Sequence, residues 1–195
     1  MKKIIYTFLF AVLVSHAFAQ SGMFSMQYPI GFATGDLKEH IDKVSWRGFT
    51  MDYRKFANPN LGIGFDISWN VFYEEKPYDT YVQENITYSG KQYRYSNSFP
   101  MLLAATYYMK PDDLINPYIG AGLGTMYTLR NTDMNLYTFE TDSWQFSLRP
   151  ELGIIFEPQP GIGILLGAKY YYGFKTADLE GQGFFTLNVG IVLKQ

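Results

Sequence analysis

The sequence predicts an all-β chain, an eight-stranded antiparallel up-and-down β-barrel that crosses a membrane. Three observations carry that expectation. Apolar residues alternate with period two almost without a break after Gln20. The eight alternating segments are joined by connections that are short and long in strict turn. The bulky faces are rich in rings, from 17 Tyr and 16 Phe, whereas the opposite faces hold mostly Gly, Ser, Ala, Asn and Gln.

The first nineteen residues read as a Sec signal peptide. Lys2 and Lys3 form a basic start, Ile4 to Val14 an apolar run too short to span a bilayer, and Ala17-Phe18-Ala19 a cleavage site. Residues 20–195 then form one barrel domain. Both leader lysines are lost on cleavage, so fourteen Lys and Arg face 18 Asp and Glu. A net charge near −4 gives no electrostatic case for nucleic acid. With no cysteine, neither disulfides nor thiolate metal sites are available. No later stretch reaches the roughly 18 apolar residues of a helical span.

The strands follow in order. Phe24 to Phe32 and Phe49 to Tyr53 alternate first, and Leu61 to Tyr73 is the cleanest run. Gln92 to Tyr108 and Tyr118 to Tyr127 come next, followed by Ser143 to Phe156, Ile162 to Phe174 and Phe185 to Leu193. Residues 57–60, 110–116 and 157–161 are tight connections with Pro or Asn turn chemistry. Residues 35–45, 74–91, 130–142 and 176–182 are longer and charged. Short periplasmic turns at one end and longer extracellular loops at the other describe an outer-membrane barrel.

Which face turns inward follows from bulk and charge. A soluble sandwich would put its bulky face inside and a densely charged face in water. Here the non-bulky faces are small, with sparse mid-strand charges, which suits the cramped interior of an eight-stranded barrel. Those charges are Asp52, Arg54, Asp66, Arg94, Arg149, Glu151 and Lys169, four positive and three negative. Facing lipid at the midplane, each Arg or Lys would cost about 2–4 kcal/mol. Inside, they are tolerable only if they pair, so an internal ion-pair network of structural role is expected. Trp46, Trp69 and Trp144 fall towards the loop rim, as an interfacial girdle requires. Trp46 is out of phase, because its even number assigns it to the Asp52 face unless a bulge intervenes.

The signal end "AFAQ" and the strands "RGFTMDYRKF", "PYIGAGLGTMYT", "WQFSLRPELGIIFE" and "GFFTLNVGIVLKQ" resemble small bacterial outer-membrane β-barrels of the OmpA-transmembrane and OmpX type. The resemblance covers essentially residues 20–195. It implies a Gram-negative outer-membrane location, insertion by the barrel-assembly machinery, and a monomer among outer-membrane lipids and lipopolysaccharide.

Candidates for chemistry are few. The mature chain has one histidine, His40, and no cue sets a serine against it, so a solvated loop histidine is expected rather than a triad member. Asp36, Glu39 and Asp42, or Glu74, Glu75 and Asp79, match no EF-hand spacing and read as solvated loop charge. Gly120, Gly122 and Gly124 share one strand face with no helix following, so they make room for lumen side chains rather than cradle phosphate. No cofactor or catalytic set is expected. The leading reading is a non-enzymatic barrel with a filled lumen and a structural or surface-interaction role through its loops. A narrow channel or binding barrel for a small ligand, hydrophobic ones included, is the alternative, and a lipid-modifying enzyme stands behind both.

Overall fold

The structure, a computed structural model, describes residues 22–83, 86–111, 113–134 and 137–194. The segment read as a signal peptide, residues 1–19, lies outside the described residues. Eight antiparallel strands form one closed barrel: β1 (Gly22–Thr34), β2 (Arg47–Asn58), β3 (Leu61–Gln83), β4 (Ile86–Tyr108), β5 (Ile115–Asp133), β6 (Thr138–Gln159), β7 (Ile162–Gly173) and β8 (Gln182–Lys194). Each strand pairs with its neighbour in sequence, and β1 closes the barrel on β8 from Met23↔Lys194 to Thr34↔Gly183. Closure leaves no unpaired edge within the bilayer, where an exposed backbone group would find no partner. At the short-connection end, Gly161 takes a left-handed φ of 86° in the β6–β7 turn, a conformation that glycine adopts freely.

The two ends differ more than the sequence indicates. Residues 74–91 and 130–142 form strand over most of their length. The β3–β4 ladder continues to Gln83↔Ile86 and the β5–β6 ladder to Asp133↔Thr138. The alternation fades in these stretches because both faces meet water, so no apolar contrast marks the pleat. By contrast, β2–β3 pairing ends at Arg47↔Val71 and β6–β7 pairing at Ser147↔Gly173. Strands β3–β6 therefore rise as a four-stranded wall above the other half of the barrel.

The first connection is not a free loop either. It opens with a one-and-a-half-turn helix, α1 (Gly35–His40), entered through Gly35 at φ 56°. Leu37 and Ile41 are fully buried against Phe72, Leu102, Met126, Tyr171 and Phe184 inside the barrel. Six residues are too few to give a helical period in the sequence.

Outside, the bulky face of every strand is exposed, and an aromatic row runs round one level. Phe49 pairs with Trp69, which stacks on Phe99 at 5.9 Å. Phe99 pairs with Tyr127, whose ring lies 5.1 Å from Trp144. Phe146–Phe174, Tyr172–Phe174 and Phe32–Phe185 continue it over β6, β7, β8 and β1. Leu103, 69% exposed, lies on β4 four residues below Phe99, within the apolar band. Leu103→Arg is expected to destabilise the folded barrel by about 2–4 kcal/mol. Urea unfolding of the chain in lipid vesicles measures this, and no change would mean that this face does not meet lipid.

Candidate functional site

Inward-facing residues stack in layers along the barrel axis. At the periplasmic end, Met23, Tyr108, Tyr118, Ile155, Leu165 and Val192 pack as an apolar layer. At the extracellular end sits the cluster beneath α1. Between them lie six charges, all buried: Asp52 and Arg54 from β2, Asp66 from β3, Arg149 and Glu151 from β6, and Lys169 from β7.

These six form a closed ring of alternating sign. Arg149 Nε lies 3.6 Å from Asp66 Oδ2, and Asp66 Oδ2 accepts from Lys169 Nζ at 2.7 Å. Lys169 Nζ also donates to Asp52 Oδ2 at 2.7 Å, and Asp52 Oδ1 accepts from Arg54 Nη2 at 3.1 Å. Arg54 Nη2 reaches Glu151 Oε1 at 3.5 Å, and Glu151 Oε2 meets Arg149 Nη1 to close the cycle. Lys169 to Glu151 at 3.9 Å crosses it. With three bases and three acids, the ring is neutral. In an eight-stranded barrel, β2 stands opposite β6 and β3 opposite β7, so Arg54–Glu151 and Asp66–Lys169 each span the full lumen.

Neighbours hold the ring in place. Arg54 donates to Thr106 Oγ1 at 3.1 Å and Phe65 O at 2.8 Å, and Thr106 donates to Glu151 Oε1 at 2.8 Å. Gln27, itself held by Asn188 Nδ2 at 3.0 Å, donates to Asp52. The β5 glycines clear space: a Cβ at Gly120 would lie 2.5 Å from Glu151 Oε1, and one at Gly122 3.2 Å from Arg149 Nε. Arg149 is held by charge rather than aligned bonds, since its three nitrogens, all buried, make no hydrogen bond of good geometry.

Two residues assigned from sequence stand elsewhere. Arg94 faces inward but is not in the ring. It pairs in register with Glu74, eight residues above Asp66 on β3, or roughly 26 Å along the strand. There its guanidinium donates to Gln92 Oε1 at 2.7 Å and His40 O at 3.0 Å. Trp46 points outward, 63% exposed. The Gln27↔Thr50 register would set Gly31 opposite Trp46, but Gly31 pairs with Ser45. That one-residue bulge turns Ser45 inward and Trp46 out. Trp69 and Trp144 are also outward and exposed.

Glu74, expected as solvated loop charge, is buried, and His40 is partly enclosed, with no signal for either in the sequence. Glu74 accepts from Asp42 N–H at 2.9 Å and Lys76 Nζ at 2.8 Å. Burial alone would raise its carboxyl, but these two donors outweigh burial and hold it below the usual glutamate value. His40 is far from the solvated residue expected, and its buried Nε2 has no hydrogen-bond partner. Burial, with Arg130, Arg94 and Lys76 nearby, pushes its pKa down to about 4. No serine or carboxylate engages Nε2, and the dominant neighbours are cationic, the reverse of what orients a general base. Among the described residues, no group of three His, Cys, Asp or Glu side chains is disposed to hold a metal ion.

A closed antiparallel barrel with an apolar, ring-belted exterior and charges buried within is an integral outer-membrane protein. The chain matches the model of the outer membrane protein beta-barrel domain family over residues 5–192 and belongs to that family. Its place is the bacterial outer membrane. Neisserial surface protein A has the same fold, with a TM-score of 0.55 at 16% identity over 90% of this chain and 97% of that one. Ail, the attachment invasion locus protein of Yersinia pestis, superposes at 0.53 and 16% identity over 89% and 98%. The outer-membrane protease OmpT of Escherichia coli does so at 0.53 and 6% identity over 90% and 96%. No curated protein matches in sequence. At these identities the structural likeness extends to the fold alone.

Breaking the ring on one side should be costly. Arg149→Met leaves Asp66 and Glu151 short of charge, and a loss of about 3–5 kcal/mol is expected. Adding Glu151→Gln restores neutrality and is expected to recover a substantial part of it. A double-mutant cycle by urea unfolding in vesicles reads both values; additive losses would mean that the pair does not interact.

Proposed function

We propose that this is a non-enzymatic outer-membrane barrel that acts through its extracellular wall and not through its lumen. The observation that carries the reading is the fill: the neutral ring and its two apolar layers occupy the bore, while β3–β6 stand clear above the aromatic row. In this reading the seven inward charges have structural roles, six in the ring and Arg94 above it, and Trp46, Trp69 and Trp144 mark the outer interface. The protein sits as a monomer among outer-membrane lipids and lipopolysaccharide after insertion by the barrel-assembly machinery.

The two sides of the wall differ. Above its pairing with β2, β3 carries Pro77 and a bulge against β4 between Lys76 and Asp79, features that discourage addition of another strand. The free side of β6, residues 138–142, carries neither, and Glu140 and Asp142 are exposed there. This favours a polypeptide contact on the β6 side of the wall.

Comparison of four strains tests the proposal: one with the unmodified protein, one lacking it, one with residues 75–91 replaced by a tight turn, and one with His40→Ala. The trimmed protein is expected to keep heat-modifiable migration on gels but to match the deletion strain in surface adhesion. Adhesion unchanged by both deletion and trimming would remove the surface role. The His40→Ala strain is expected to keep an unaltered lipid A profile, and a change there would support the enzyme reading instead.

A further inference from the structure

The segment from Gly35 to Ile41 has two unlike sides. Leu37 and Ile41 are fully buried in the barrel mouth, whereas Asp36, Lys38 and Glu39 are exposed. Few polar contacts hold the segment down. Thr34 gives α1 no side-chain cap. The barrel wall contributes Arg94, which donates to His40 O at 3.0 Å, and Glu74, which accepts from Asp42 N–H at 2.9 Å. These two contacts engage the backbone at His40 and Asp42, and His40 Nε2 is buried and unpartnered.

The charges around that ring are unbalanced. Lys76 on β3, Arg94 on β4 and Arg130 on β5 are positive, and Glu74 on β3 is negative. Glu74 is already committed to Lys76 and the Asp42 amide. Arg130 is turned towards Gln182 on β8, with Asp36 and Glu180 as its acidic neighbours. On the segment itself, Lys38 pairs with Asp42 at 3.5 Å on the outer side. A second proton on His40 would therefore place a cation among three others, with no free acceptor at Nε2 among the described residues.

We propose that α1 is an acid-released plug: protonation of His40 breaks the segment's contacts with Arg94 and Glu74, lifts Leu37 and Ile41 from their seat, and exposes the apolar layer above the charged ring. That layer is formed by Phe72, Leu102, Met126, Tyr171 and Phe184, against which Leu37 and Ile41 pack. This goes beyond the surface role, which needs no movement of α1.

The sign follows from linkage. The seated histidine titrates near 4 and a free one near 6.5, so the seated form is fully favoured above pH 6.5 and loses ground as pH falls towards 4. The Ile41 amide, which donates to Leu37 O at 2.8 Å, reports the seat directly. In the full chain in lipid nanodiscs, its hydrogen-exchange protection factor is expected to fall on the order of tenfold between pH 7.5 and pH 5. His40→Gln should hold protection constant over that range. Because the chain has no cysteine, Ile41→Cys gives a second reading, as its rate of labelling by a membrane-impermeant thiol reagent relative to an exposed Val44→Cys control. That ratio is expected to rise at pH 5. Protection and labelling that do not change with pH in chains keeping His40 would overturn the proposal, and so would the same pH response in His40→Gln.

Discussion

Three buried bases and three buried acids cancel inside a tube surrounded by lipid, and the rest of the barrel depends on that cancellation. Lipid cannot hydrogen-bond a backbone, so the strands close on one another and create an interior of narrow bore. Charges that the outer face would reject must then lie inside, where an unpaired ion is costlier still. Two contacts across the full lumen, two between strands three apart and two within single strands give every charge two partners of opposite sign.

The ring is better understood as fixing the fold than as a reservoir of stability. Buried ion pairs commonly contribute little compared with well-packed apolar residues of the same volume. Their effect here is on register. Side chains alternate along a strand, so a slip of β6 by one residue would turn Arg149 and Glu151 towards lipid. The base alone would then cost about 2–4 kcal/mol at the midplane. Gly120 and Gly122 face the same pair and leave the space it needs. The apolar layers above and below shield the ring from water, so the charged middle and packed ends fill the bore together.

The eight strands, their outward faces and the shared face of Arg149 and Glu151 were legible in the sequence, because an environment with lipid outside and a crowded lumen inside imprints a strong period of two. Which acid meets which base was not, because Asp66 and Lys169 are 103 residues apart and meet only once closure sets β3 opposite β7. Arg94 carries the same inward signal as Arg149, and only its height along the axis separates their roles. Trp46 escaped its parity through a single-residue bulge. Strands β3–β6 continued beyond the expected loops because water on both sides removes the contrast that marks a pleat. Helix α1 is too short to announce itself, so nothing in the sequence marks the burial of Leu37 and Ile41 and, with it, the enclosure of His40.

Single-channel recording from the unmodified protein in a planar bilayer is the most direct test of the filled lumen. The expected result at neutral pH is no conductance above background at any moderate voltage, with leakage appearing in Arg149→Ala. A steady, ohmic conductance in the unmodified protein would mean that the bore is open past the charged ring, contradicting the account at its centre.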